Sequence, residues 1–343
     1  MTRIMLRKID IARVATVAIW TSAGLVWALF IVAQQFAPTD TWLVDWHVYT
    51  AGAKAFIDGT LYATPLQSVY DLPVSHFNLP PLSAIAVMPF LLLPDSIGGT
   101  VWVVLNIVAV AGTAVLVARI LGAHQPARWG AVGFLAYTIH PWMKLAFLGN
   151  NTPLVLFLVA AFAHEHLRSR ERSAGAFLGT AIALKLWPIA IIPLLLRDRR
   201  WLSLAWAAVI SGYVVDVTLL WLGPGIIGPA ATAMQERALI EPDNPVFYVS
   251  WLRETQTWWP SWGAYAVAAL LAGLPAKGQL GIGLGIFAGL ALIPNLWRTY
   301  APTFLMAAVF VIRAIYVSWI SNRDREANRL SAARRAAQPA DPD

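Results

Sequence analysis

The sequence predicts an all-α polytopic membrane protein, and three observations carry that prediction. Hydrophobic residues fill 58% of the 343 positions and charged residues 13%, whereas charged residues make up about a quarter of a soluble domain. Apolar stretches recur from residue 12 to residue 320, with polar breaks too short for a second domain. Basic residues fall in short clusters between those stretches, at 3–13, 119–128, 168–172, 197–200, around Lys277 and at 323–335. Clusters so placed orient spans in a membrane, so the net charge of +7 does not indicate a nucleic-acid partner. Cysteine is absent, which removes disulfide and thiol chemistry.

The positive-inside rule puts all six clusters in the cytoplasm and fixes the elements in order. Residues 14–33 follow the basic leader Arg3, Arg7, Lys8 and Arg13 and run outward. Their apolar run is nearer to about twenty residues than to the seven to fifteen of a signal core, so it reads as a retained anchor with a cytoplasmic N-terminus. The stretch 34–80 is then external and carries short helices. Residues 81–120 are broken at Pro89 and at Pro94–Gly99 and must cross once, so 81–93 is expected to be a short helix that does not span. Residues 129–147 climb, Gly149-Asn150-Asn151 turn, and 152–167 descend. The stretch 173–196 has basic clusters at both ends, which predicts a V of two short helices meeting near Lys185-Leu186-Trp187-Pro188. About a dozen residues at 1.5 Å each lift Lys185 roughly 20 Å, two thirds of the way across a core of about 30 Å.

Residues 201–222 climb again and carry Asp216 at about 22 Å; 223–261 form a second external loop. Spans near 262–275, 279–293 and 301–320 complete a single domain over 1–320 with about 9–10 membrane helices, some short or re-entrant. Residues 321–343 are a basic cytoplasmic tail, expected to be partly disordered and to fray beyond about residue 335.

Polar groups that could carry chemistry concentrate after the first span. Asp45 starts a short helix among Trp42, Trp46 and Tyr49, rings that favour a bilayer surface. Its carboxylate is either a general base or an interfacial helix cap. His47 could pair with it on a metal, but two ligands do not make a site. Lys185 costs about 2.5–3.5 kcal/mol at a helix centre, so it needs a partner: a phosphate, or Asp216. Arg253 and Arg298 stand beside tryptophans and read as snorkelling anchors. His76 and His140 lie on the outer side. His164-Glu165-His166 reads as a solvated helix terminus, because residues two apart on a helix point to different faces.

Several stretches together resemble the polyprenol-phosphate-mannose-dependent α-(1→2)-mannosyltransferases of glycosyltransferase family 87, which have the GT-C fold. They are Asp45-Trp46-His47-Val48-Tyr49 with Ala51-Gly52, Gly59 and Tyr62; Phe77-Asn78-Leu79-Pro80-Pro81-Leu82; Gly149-Asn150-Asn151; Gly175 through Lys185 and Pro188 to Arg197-Asp198-Arg199-Arg200-Trp201; and Asn244 with Arg253. The likeness covers roughly residues 40–300. Two segments depart from it: Pro245-Val246 follows Asn244, and the late segment Trp297-Arg298-Thr299-Tyr300 has no histidine. The resemblance implies that Asp45 is the catalytic base and that Lys185, with Arg298 as a second cation, contacts the donor phosphate. On this reading Tyr49, His76, Asn150, Asn151, Asn244 and Arg253 contact substrate.

The expectation is therefore a plasma-membrane glycosyltransferase of GT-C architecture, acting on the outer face. It would take a sugar, mannose first, from a polyprenyl phosphate and give it to a glycolipid or polysaccharide, with inversion and without metal or cofactor. Its partners would be these substrates and membrane lipids, with no nucleic acid. Two rivals stand beside it. One is a transporter or flippase coupled through Lys185 and Asp216, although no twin of the break at Lys185 is found. The other is a non-catalytic binder of lipid-linked sugar.

Overall fold

A computed structural model describes residues 11–34, 43–63, 76–138, 149–240, 278–291 and 301–336. The described residues are helical, without strands. Four helices are long and apolar enough to cross a membrane: parts of α1 (Ile11–Gln34) and α12 (Ala301–Ala336), and the whole of α4 (Asp95–Ile120) and α9 (Trp201–Leu222). Shorter apolar segments lie among them, including α6 (Thr152–Leu167) and α11 (Gly278–Ala291). The chain is a multi-pass membrane protein.

The irregular parts follow the sequence closely. After α2 (Val44–Ile57), the stretch 81–93 forms α3 (Pro81–Ile85) and a 3₁₀ turn (Met88–Leu92), too short to span. Between α5 (Pro126–Tyr137) and α6, only Gly149, Asn150 and Asn151 of the turn are described. The expected break follows α7 (Glu171–Leu184): Lys185 is extended, a 3₁₀ turn covers Trp187–Ile191, and α8 (Ile192–Arg197) completes the V. In the stretch expected to be the second external loop, α10 (Ile227–Ile240) is helical. In the expected tail, α12 continues unbroken to Ala336.

Small residues set the helix packing. On α7, Gly175 and Gly179 lie one turn apart against the backbone of α9; a Cβ on Gly179 would sit 2.7 Å from the Ala207 carbonyl oxygen. Close approach of this kind is how helices associate in lipid, where apolar burial gives little drive. Gly130 does the same for α5 against Val115 of α4. Two apolar clusters result. One gathers Trp46, Tyr49, Phe77 and Trp102 around α2 and the start of α4; the other gathers α6, α7, α11 and α12 around Phe162, Leu178 and Phe310.

Candidate active site

The two apolar clusters meet where Asp45, Asn150 and Lys185 come together from three separate parts of the chain. Asn150 Nδ2 donates to Asp45 Oδ2 at 2.9 Å, and Lys185 Nζ donates to Asn150 Oδ1 at 3.0 Å. Thr152 completes the group: its Oγ1 accepts from Lys185 Nζ at 2.6 Å, and its N–H donates to Asn150 Oδ1 at 2.8 Å. With donors gathered on Oδ1, the Asn150 amide has one satisfactory orientation, its NH₂ toward the carboxylate. One neutral amide thus bonds both an acid and a lysine that is only 5% exposed.

Proline explains why Lys185 leaves the helix there. In a continued helix Pro188 would donate to the carbonyl of Leu184, but it has no N–H and its ring clashes with that oxygen. Ser83 Oγ, brought by the non-spanning α3, donates to Leu184 O instead, at 2.7 Å. Asn151 Nδ2 in turn donates to Ser83 Oγ at 3.0 Å, and Asn151 N–H donates to the Tyr49 hydroxyl at 3.0 Å. The break is thus tied to both α2 and the turn before α6.

The turn itself needs Gly149, which has φ +70° and packs its backbone on Trp46. Its carbonyl accepts from Trp102 Nε1 at 2.7 Å. Trp46 is cradled by Gly98 and Gly99, and its Nε1 donates to Asp95 Oδ1 at 3.0 Å. His47 Nε2 lies 3.1 Å from Asp95 Oδ2. Asp95, in the first turn of α4 where a carboxylate is favoured by the helix dipole, thereby fixes the rotation of α2 and the direction of Asp45. Tyr62 donates its hydroxyl to Leu79 O at 2.9 Å, and burial pushes its pKa up, so the phenol stays neutral.

The expected site residues therefore divide. Asp45, Asn150 and Lys185 come together. Tyr49 and Asn151, expected to contact substrate, are 1% and 0% exposed and instead hold the frame. His76 is half-buried beside Phe77. Arg298, Asn244 and Arg253 lie outside the described residues. The alternative pairing of Lys185 with Asp216 is not formed: Lys185 is bonded to Asn150 and Thr152, and Asp216 is exposed on α9 without an ion pair among the described residues. Sequence reasoning missed Thr152, Ser83 and Asp95. Thr152 carried a usable signal, as a hydroxyl two residues after Asn150 at a helix start; Ser83 carried none.

At the opposite end of the bundle, His164-Glu165-His166 corrects another expectation. His166 is buried, with Nε2 3.4 Å from Asp198 Oδ2, and Glu165 accepts from Ser173 Oγ at 2.8 Å. Packing of the α6–α7 turn against the α8–α9 turn encloses a terminus that was expected to be solvated.

A family model described as glycosyltransferase family 87 matches residues 77–333, which takes in Asn150, Thr152 and Lys185 and begins after Asp45. Two relatives from Mycobacterium tuberculosis align as well. A polyprenol-phosphate-mannose-dependent α-(1-2)-phosphatidylinositol pentamannoside mannosyltransferase (strain CDC 1551 / Oshkosh) is 28% identical over 66% of this chain and 54% of its own length. A polyprenol-phosphate-mannose-dependent α-(1-2)-phosphatidylinositol mannoside mannosyltransferase (strain ATCC 25618 / H37Rv) is 29% identical over 61% and 52%. The chain thus spans about half the length of these relatives. No solved structure matches. With three quarters of its length matched by the family model, the chain belongs to glycosyltransferase family 87, a family of GT-C architecture.

Proposed function

We propose that this protein transfers mannose from a polyprenyl phosphate to a hydroxyl of a glycolipid, on the outer face of the membrane. The observation that carries the reading is the Asn150 amide joining Asp45 to Lys185. A glycosyl transfer of this kind needs a base at the acceptor oxygen and positive charge at the departing phosphate, and the two groups stand one amide apart. Asp45 takes the proton of the acceptor hydroxyl. The acceptor oxygen attacks the anomeric carbon as the bond to the phosphate oxygen breaks, inverting the centre and releasing polyprenyl phosphate. Lys185, already fixed by Asn150 and Thr152, stabilises the charge gathering on that phosphate, and fixed charge costs no reorganisation during the reaction. Arg298 serves as a second cation. The scheme uses no metal. The names of the two mycobacterial relatives favour a mannosyl donor and a phosphatidylinositol mannoside as acceptor.

Asp45→Asn in the full chain tests the assignment, with polyprenyl-phosphate mannose as donor and membrane glycolipid as acceptor. Transfer is expected to fall by about a hundredfold or more, while retention of the donor is unchanged. Transfer at the parental rate would remove Asp45 from the mechanism.

A further inference from the structure

The end of the bundle remote from Asp45 carries a groove of about 590 Å³ between α1, α4, α6 and α7, within the size range of ligand sites. Val108, Val115, Leu116, Phe157 and Phe177 give it apolar walls, and Arg119, His164 and Glu165 stand at its polar end. On α4, Val108 and Arg119 are eleven residues apart, so the groove runs roughly 16 Å along the helix. Its long axis is therefore parallel to the membrane-crossing direction of α4, as a lipid chain is.

The polar end has a basic group that meets no acid among the described residues. Arg119 is exposed and forms no ion pair among the described residues, in contrast to Arg170, Arg197 and Arg200, which meet Glu165, Asp198 and Glu171. His164 Nδ1 lies 3.1 Å from Glu165 Oε1, so the imidazole is turned to that carboxylate. Glu165 does not repel an anion at full strength, because Ser173, Arg170 and His164 already meet its carboxylate.

We infer that this groove binds an anionic phospholipid, with one acyl chain between Val108 and Leu116 and its phosphate on Arg119. Charge complementarity commits the occupant. Four further arginines without a paired acid among the described residues, Arg128, Arg168, Arg172 and Arg199, lie at this end of the bundle, whose surface therefore favours acidic headgroups. The apolar walls then select a molecule with a chain, which a free phosphate lacks. This site is separate from the Asp45 centre and does not depend on the reaction proposed there.

Native mass spectrometry of the full-length protein in mild detergent tests the inference, with phosphatidylglycerol and phosphatidylcholine of identical acyl chains as probes. The first phosphatidylglycerol is expected to bind about fivefold more tightly than phosphatidylcholine, the worth of one basic residue near a membrane surface. Arg119→Gln should abolish that preference, and Arg128→Gln, at the same end but outside the groove, should leave it intact. Ala111→Trp, which fills the groove, should lower retention of both lipids. Equal binding of the two lipids by the parent, or equal loss in the Arg119 and Arg128 variants, would overturn the site.

Discussion

The two polar ends of the helix bundle hold their central charged groups differently. Around α6–α7 and α8–α9, acids and arginines meet directly: Arg197 with Asp198 at 2.8 Å and Arg200 with Glu171 at 3.2 Å. At the other end, the Asn150 amide bonds both Asp45 and Lys185, with Thr152 sharing the lysine. Direct pairs satisfy each other and fix turns. An amide that bonds an acid and a lysine at once sets the two side by side in fixed directions. The difference teaches that a shared amide, and not only direct pairing, can hold an acid and a lysine in one place.

The strongest way to break the comparison is to remove the lysine. Lys185→Met keeps the length of the side chain and deletes the charge, so transfer should fall by about a hundredfold to a thousandfold, with melting temperature held or raised. A variant that transfers normally would show that the buried cation is only structural.

Asn150→Asp sharpens the comparison by making the reactive end resemble the other. The new carboxylate would pair directly with Lys185 and crowd Asp45, and a like charge raises a carboxyl pKa. Transfer should drop by about tenfold or more at neutral pH, and the acidic limb of the pH–rate profile should move to higher pH. A lowered rate with an unmoved limb would mean that Asn150 does not touch the base.

Ser83→Ala tests the frame alone. It leaves the Leu184 carbonyl and the Asn151 amide without their partner, which should cost about 1–3 kcal/mol in unfolding free energy. Thermal unfolding and the KM for donor should both change, since Lys185 follows Leu184. An unmoved KM would separate the break from the binding of phosphate.

The smallest effect concerns the directly paired end. Burial works against the Asp198 charge, but the hydrogen bond and charge of Arg197, with His166, more than offset it and hold its carboxyl below the ordinary 3.8. A lowered folded pKa contributes stability above the unfolded value, and that contribution is lost as pH falls through the folded one. The melting-temperature gap between the parent and Asp198→Asn should therefore be widest near neutrality and close below about pH 4. A gap that persists at lower pH would rule out the ion pair as its source.

Much of the architecture was legible in the sequence because membranes impose simple rules. Arginine clusters and apolar lengths gave the multi-pass class, and the two prolines at 188 and 94 marked a helix break and a segment that cannot span. Gly175 and Gly179 could be recognised as a family trait, but the chain alone did not say that their role is close approach to α9. His164-Glu165-His166 departs from expectation for a related reason: periodicity describes one helix, and the burial of His166 is decided by another pair of turns packing over it.

The sequence by itself determined the helices, the break at Lys185 and the candidacy of Asp45, since each follows from local sterics or from the cost of charge in hydrocarbon. Tertiary structure alone decided the partners. Residues 45, 83, 150, 152 and 185 are joined by hydrogen bonds between elements separated by as many as 105 positions. Hydrogen bonds act over about 3 Å, so which polar groups meet depends on how the helices pack, which no local pattern records.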